Sequence, residues 1–198
     1  MSDLLALDVA ILPPASVREH AISLSAALPD ADFEGLRLDT DHLPHITLTQ
    51  QFVAVDDLDR AFERLDSVLR GQSPSTLHVT GAEKTGASTV WMAIERTDAL
   101  VSLHERLMEV LKECEHAGGG PAAFVDHDAR EADVAWVTGY RLHSSFLSYT
   151  PHITLGHASR PPRIEPFTLQ AATVAACHLG RFCTCRRVLR QWELVQSA

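Results

Sequence analysis

The sequence predicts an α+β protein with mixed or antiparallel sheets and helices packed outside them. Three observations predict it. Helical and strand-like segments alternate through the first half of the chain, two strands close the second half, and one pentapeptide occurs twice. The chain has 198 residues, 45% of them apolar, which suits one domain over residues 1–198 or two small lobes sharing a core.

Leu4 to Leu12 reads as a buried strand stopped by Pro13 and Pro14. A helix follows. Ser16 and Glu19 are spaced as a capping box, and Val17, Leu24 and Leu28 lie on its apolar stripe; Pro29, Asp30, Ala31 and Asp32 end it. Ile46 to Val55 is strand. Asp56 to Leu69 is helix, because Leu58, Phe62, Leu65 and Leu69 recur at helical spacing, and Gly71 stops it. Thr76 to Ala82 and Thr89 to Glu95 read as a hairpin turning at Lys84-Thr85-Gly86. The strongest helix runs from Asp98 to His116 on a stripe of Leu100, Leu103, Leu107, Val110, Leu111 and Cys114, and Gly118-Gly119-Gly120-Pro121 terminates it. Ala122 to Ser148 is irregular, with short apolar pieces such as Val134-Ala135-Trp136-Val137. Ile153 to Leu155 is strand and Arg160 to Pro166 a linker. Two strands, Thr168 to Leu179 and Phe182 to Leu194, join at Gly180-Arg181.

The formal net charge is −9. A long nucleic-acid groove needs a basic footprint, so a duplex or long-RNA binder is not expected, whereas a short nucleotide held by local donors remains compatible. The first residues carry no basic region, the apolar run breaks at Asp8, and no apolar run reaches the roughly 20 residues that span a bilayer, so a cytoplasmic protein without a membrane partner is expected. Cys114, Cys177, Cys183 and Cys185 include no C-x-x-C and are expected as thiols rather than zinc ligands; Cys183 and Cys185 are expected to share one strand face.

The repeated element carries the chemistry. Pro44-His45-Ile46-Thr47-Leu48 recurs as Pro151-His152-Ile153-Thr154-Leu155, with His45 and His152 separated by 152 − 45 = 107 positions. One His-x-Thr on a strand is an ordinary solvated edge pair. Two identical copies about half a chain apart imply two related halves. On a strand, side chains alternate, so His45 and Thr47 face one way while Ile46 and Leu48 anchor the core, and the second copy repeats this. Each proline suits the first position of its strand. If the two strands meet near a pseudo-twofold axis, one cleft holds two imidazoles and two hydroxyls. One neutral imidazole can then deprotonate water, one charged imidazole can protonate a departing oxygen, and the threonines can hold phosphate oxygens.

These paired motifs resemble those of the 2H phosphoesterase superfamily, which includes 2′,3′-cyclic nucleotide phosphodiesterases and 2′-5′ RNA ligase-like proteins. The resemblance covers both motifs, the opening strand and helix, and the helix before the second motif. It implies two pseudo-symmetric lobes of mostly antiparallel sheet with outer helices and an active-site cleft between them. It also implies catalysis by His45, Thr47, His152 and Thr154. The expected substrate is a small nucleotide or an RNA terminus with a cyclic phosphate, opened to a 2′-phosphate without metal or other cofactor, by a monomer. Ligation through a 2′-5′ linkage is the related secondary activity, and a non-catalytic nucleotide-binding module is the alternative. Trp136-Val137-Thr138-Gly139-Tyr140-Arg141, with Phe146 and Tyr149, is similar to an aromatic-rich loop before the second motif in a bacterial 2′-5′ RNA ligase-like branch. Thr49-Gln50-Gln51-Phe52-Val53 departs from the Phe-Leu-Gly that follows the first motif in many such members.

Near the second motif, Tyr149 and Tyr140 are expected to stack on a base and Arg141 to contact phosphate. Asp126-His127-Asp128 is expected as a solvated loop, since three adjacent residues cannot face one metal. His42 and His157 are expected as surface residues. Of Arg181, Arg186, Arg187 and Arg190, Arg186 and Arg190 are expected to share a strand face opposite Arg187, protecting an edge or contacting an RNA end.

Overall fold

The computed structural model describes residues 3–29 and 35–195. In chain order the elements are β1 (Leu4–Ile11), α1 (Ala15–Ala26), β2 (Ile46–Ala54), α2 (Leu58–Leu69), β3 (Ser75–Thr85), β4 (Thr89–Ile94), α3 (Asp98–Leu111), α4 (Glu131–His143), β5 (His152–His157), β6 (Phe167–Ala171), β7 (Thr173–Gly180) and β8 (Thr184–Glu193). They build two four-stranded antiparallel sheets, ordered β2-β1-β7-β8 and β5-β4-β3-β6. The α+β reading, with helices outside antiparallel sheets, is what the chain adopts.

The motif strands β2 and β5 each occupy a sheet edge. Each is reached from its sheet neighbour through helix, β1 to β2 by α1 and β4 to β5 by α3 and α4. The register repeats as well. Val9 faces Thr49 and Ala10 faces Thr47, so Leu48 is an extra residue in β2. Val90 faces Gly156 and Trp91 faces Thr154, so Leu155 is the extra residue in β5. The same position of both pentapeptides thus forms a β-bulge, a device that bends a strand and re-aims its side chains beside a site.

The lobes interleave along the chain. The first sheet takes its strands from both ends and the second from the middle. Only Ala172 separates β6 in one sheet from β7 in the other, where a single strand was expected. One apolar cluster reaches both sheets, with Leu7, Val9 and Leu48 from one and Leu77, Met92 and Leu155 from the other. A smaller cluster under α4 packs Phe52, Phe124 and Val137 on the opposite face of β1 and β7, against Ala6, Ala10 and Ala175.

Three local expectations are corrected. α1 begins at Ala15, directly behind Pro14, and no side chain caps it; the proline sets the extended turn that Ser16 and Glu19 were expected to supply. Its expected terminator lies outside the described residues from Asp30 to Asp32, while the helix itself stops at Ala26. α3 stops at Leu111, because the chain beyond it turns to bridge Phe52 through His116, whose N–H donates to the Phe52 carbonyl at 2.9 Å. A Cβ at Gly119 would meet the Phe52 ring at 2.4 Å, so this approach needs glycine. The stretch expected as irregular contains α4. Its buried face is Asp133, Val137 and Tyr140, a helical spacing whose first apolar slot holds a carboxylate.

Candidate active site

Both motif histidines are held in the same way. The Nδ1–H of His45 donates to the Leu43 carbonyl at 2.7 Å, and that of His152 to the Thr150 carbonyl at 2.7 Å, each reaching back two residues across the proline. A carbonyl only accepts, so this contact puts the neutral ring's proton on Nδ1 and leaves Nε2 to gain or lose one. His45, Thr47, His152 and Thr154 all line one cleft of about 400 Å³.

The surroundings of the two rings differ. Nε2 of His45 lies 3.7 Å from Oδ2 of Asp8, a fully buried carboxylate in the middle of β1. Thr47 and Gln50 donate to that oxygen at 2.8 and 2.6 Å. Burial pushes the Asp8 carboxyl above the usual range, against the pull of His45 and the two donors. His152 instead stacks on Trp91, ring centroids 4.4 Å apart. Desolvation lowers its pKa, against the pull of the Thr150 carbonyl, and the charge of His45 lowers it further. The threonines differ too. Thr47 spends its hydroxyl proton on Asp8, whereas the Thr154 hydroxyl has no protein partner among the described residues and opens on the cleft.

Tyr149 is a brace. Its hydroxyl donates to the Thr47 carbonyl at 3.0 Å, and its ring stacks on His104 with centroids 4.0 Å apart. His104, fully buried, donates from Nδ1 to the Leu48 carbonyl at 2.6 Å and accepts the Phe146 N–H on Nε2 at 2.9 Å. Burial lowers the His104 pKa and keeps the ring neutral, as that acceptor role requires. Together the two rings tie the first motif to the segment preceding the second. Tyr140 is buried at the cleft floor, where burial raises its phenol well above the ordinary value. Arg141 does not line the cleft. Its guanidinium is engaged by Glu115 and donates to the Met108 carbonyl at 2.8 Å. The aromatic-rich stretch is helical rather than a loop, so it leaves Trp136 at the cleft, half exposed, and turns Arg141 away.

The far wall of the cleft comes from Leu36, Leu38, Arg130, Trp136, His157 and Phe182. The Arg130 guanidinium sits 3.9 Å from the Phe182 ring centroid and pairs with Asp133. Burial works against the Asp133 charge, yet hydrogen bonds from Arg130 and the Phe182 N–H hold its carboxyl below the usual range. His157 was expected as a surface residue and is half-buried in this wall. It accepts the Leu36 N–H at 2.9 Å, and desolvation, then Arg130 and Arg37, lowers its pKa. Gly156 beside it has φ +142°, and a Cβ there would stand 2.4 Å from the Leu36 carbonyl oxygen. His42 stays outside the cleft, paired with Asp39 at 2.9 Å.

The remaining groups lie apart. Asp126 pairs with Arg186 at 3.6 Å and Arg187 at 3.8 Å, while Arg190 binds Asp66 at 2.8 Å. Bulges in β8 break simple alternation, so Arg186 turns with Arg187 rather than with Arg190. All four cysteines are thiols. Cys183 sits in a tight turn at the cleft and Cys185 in the core, so they are not two members of one strand face. Carboxylate, imidazole and thiol donors gather at Asp8, His45 and Cys185. Sequence reading missed Asp8, Gln50, Trp91, Arg130 and Phe182. Asp8 had a signal, being a lone charge inside an apolar strand, where burial without a partner is costly. No helix among the described residues is long and apolar enough to cross a membrane.

The family model of the 2′-5′ RNA ligase superfamily matches residues 13–187. No curated protein matches. Among solved structures, TT0787 of Thermus thermophilus is similar with a TM-score of 0.65 at 16% identity, covering 98% of this chain and all of that one. E. coli LigT complexed with ATP is similar with a TM-score of 0.62 at 19% identity, covering 98% of this chain and 100% of its own. A structure described as a phosphoesterase reaches 0.61 at 21% identity, over 97% and 99%. At these identities the solved structures speak for the two-lobed fold alone, and the family model speaks for descent. The chain belongs to the 2′-5′ RNA ligase superfamily.

Proposed function

We propose that this protein is a phosphodiesterase that opens 2′,3′-cyclic phosphates of nucleotides or RNA ends to 2′-phosphates, using its two motif histidines as a base and an acid. The observation that carries the reading is the matched locking of both rings through Nδ1, which leaves two Nε2 atoms for proton transfer in one cleft. Two such groups move both protons of the reaction, so no metal is required of the mechanism.

The unequal surroundings of the two rings support one division of roles. His152, desolvated against Trp91, is neutral at neutral pH and takes the proton of the attacking water on Nε2. His45 has the Asp8 carboxylate as counter-charge and delivers the proton to the 3′-oxygen as the P–O bond breaks. The Thr154 hydroxyl donates to a non-bridging phosphate oxygen. Trp136, Phe182 and Arg130 form the wall for the nucleoside and for more distant phosphate. E. coli LigT has been solved with ATP, NADP+, 3′-AMP and phosphate, which supports a nucleotide ligand for the shared fold. A 5′-hydroxyl in place of water gives the 2′-5′ ligation reaction in the same cleft.

The test is incubation of the purified protein with a 2′,3′-cyclic nucleotide in EDTA. Release of the 2′-monophosphate, lost in His152→Ala, supports the reading. Binding without product makes the protein a nucleotide-binding module. Turnover that EDTA abolishes overturns the two-histidine mechanism.

A further inference from the structure

Beneath the first imidazole the sheet gathers a second set of donors. The ligand atoms of Asp8, His45 and Cys185 all lie within 4.8 Å of one another, and among the described residues no other trio of His, Cys, Asp or Glu side chains does so. They come from separate parts of the sequence: β1, the turn into β2, and β8. The Leu43 N–H donates to the Cys185 carbonyl at 3.0 Å, which fastens the turn carrying His45 to the start of β8. Asp8 faces Cys177 across β1 and β7.

The details are those of a prepared coordination site. Metal-binding imidazoles donate their other ring N–H to a carbonyl or carboxylate, which orients the ring, and His45 does this with Leu43. Asp8 is oriented in the same manner by Thr47 and Gln50, both on Oδ2. Its Oδ1 is buried and has no hydrogen-bond partner among the described residues. A buried carboxylate oxygen without a donor needs an explanation, and a cation supplies one. One thiolate, one imidazole and one carboxylate are ligands of zinc type, and their two negative charges balance a divalent ion in a dry setting.

We propose that Asp8, His45 and Cys185 form an inhibitory site for zinc(II). The ion bonds to a carboxylate oxygen of Asp8, Nε2 of His45 and Sγ of Cys185, and the thiol proton leaves to solvent. Three protein ligands leave a fourth position for water. Nε2 of His45 is the atom that delivers the proton in the reaction above. Inhibition therefore rests on that reading, whereas binding of the ion does not.

Cobalt(II) serves as a visible substitute for zinc. Titrated into the metal-free full chain, it is expected to produce a sulfur-to-cobalt charge-transfer band that zinc(II) bleaches. The band is lost in Cys185→Ala and in Cys185→Ser, the second variant keeping the size of the side chain, and kept in Cys183→Ala. Zinc(II) is expected to stop turnover of a 2′,3′-cyclic nucleotide, reversibly with EDTA. Cys185→Ala keeps its basal turnover and needs at least the ~10–100-fold more zinc that loss of an outer partner alone would demand. No band in the wild type overturns the site, as does a band or an inhibition unchanged in both Cys185 variants. A band with unimpaired turnover at saturating zinc overturns its inhibitory role. A band in a protein inactive under every condition supports the site and counts against the phosphodiesterase.

Discussion

His45 and Asp8 stand 3.7 Å apart, Nε2 to Oδ2, although 37 positions separate them in the chain (45 − 8). The carboxylate is fully buried, so folding works against its charge. A carboxyl raised in this way lowers stability as pH rises through its folded value, because the native state then holds a proton the unfolded chain has released. Asp8→Asn is therefore expected to raise Tm at pH 7 while lowering kcat by about 10-fold or more, with the ~10²–10⁴ that a general acid supplies as the upper bound. Calorimetry and initial rates on one preparation check both; a less stable variant with unchanged kcat contradicts the role given to Asp8.

His45→Ala and His152→Ala are each expected to cut turnover by about 10²–10⁴-fold. The double variant should be scarcely slower than either single, since the two rings serve one transition state. Rates that fall multiplicatively would place one ring outside the chemistry.

The pH–rate profile should rise on its acid side below the ordinary histidine value of about 6.5, because the base must be neutral and burial lowers the His152 pKa. Trp91→Ala admits water to the ring that stacks on it, so that limb should move back up toward 6.5. An unmoved limb would deny Trp91 this part.

Stability should also fall on acidification. His104 is buried and neutral, and its folded pKa lies below the unfolded one. The sign is that of a depressed histidine: the contribution is complete above about pH 6.5 and is lost as pH falls toward the folded value, where the unfolded chain binds the extra proton. His152, His157 and His178 act in the same direction. Tm between pH 8 and 5 should therefore drop less steeply in His104→Phe than in the wild type, even if its absolute value is lower. Tyr149→Phe should cost about 0.5–1.5 kcal/mol through the lost bond to the Thr47 carbonyl.

Trp136 is 49% exposed at the cleft rim. Trp136→Ala is expected to raise KM with little change in kcat, by the roughly 1–3 kcal/mol that base stacking contributes. A loss confined to kcat would assign it to the reacting centre.

The repeated pentapeptide was legible because it is local: a proline, an alternating strand and two polar positions state their own geometry. Its bulges at Leu48 and Leu155 were not, since a bulge is a relation between two strands and no single strand records it. α4 escaped because Asp133 fills an apolar slot of its stripe, and that carboxylate is tolerated only where Arg130 and the Phe182 N–H meet it. Arg141, two residues from the end of that helix, faces Glu115 for the same reason: helical phase, not nearness to the motif, sets its direction.

The sequence by itself determined the α+β class, the strand form of both motifs and the identity of the paired imidazoles, because period and residue type act over a few neighbours. Tertiary structure alone decided that Asp8 lies beside His45, that Trp91 covers His152, and that Cys185 reaches the same spot. Those distances depend on how the first and last strands share one sheet while the middle strands form another. A burial cost of this kind is incurred only between groups that the completed fold brings together, and it is what makes the two histidines unequal.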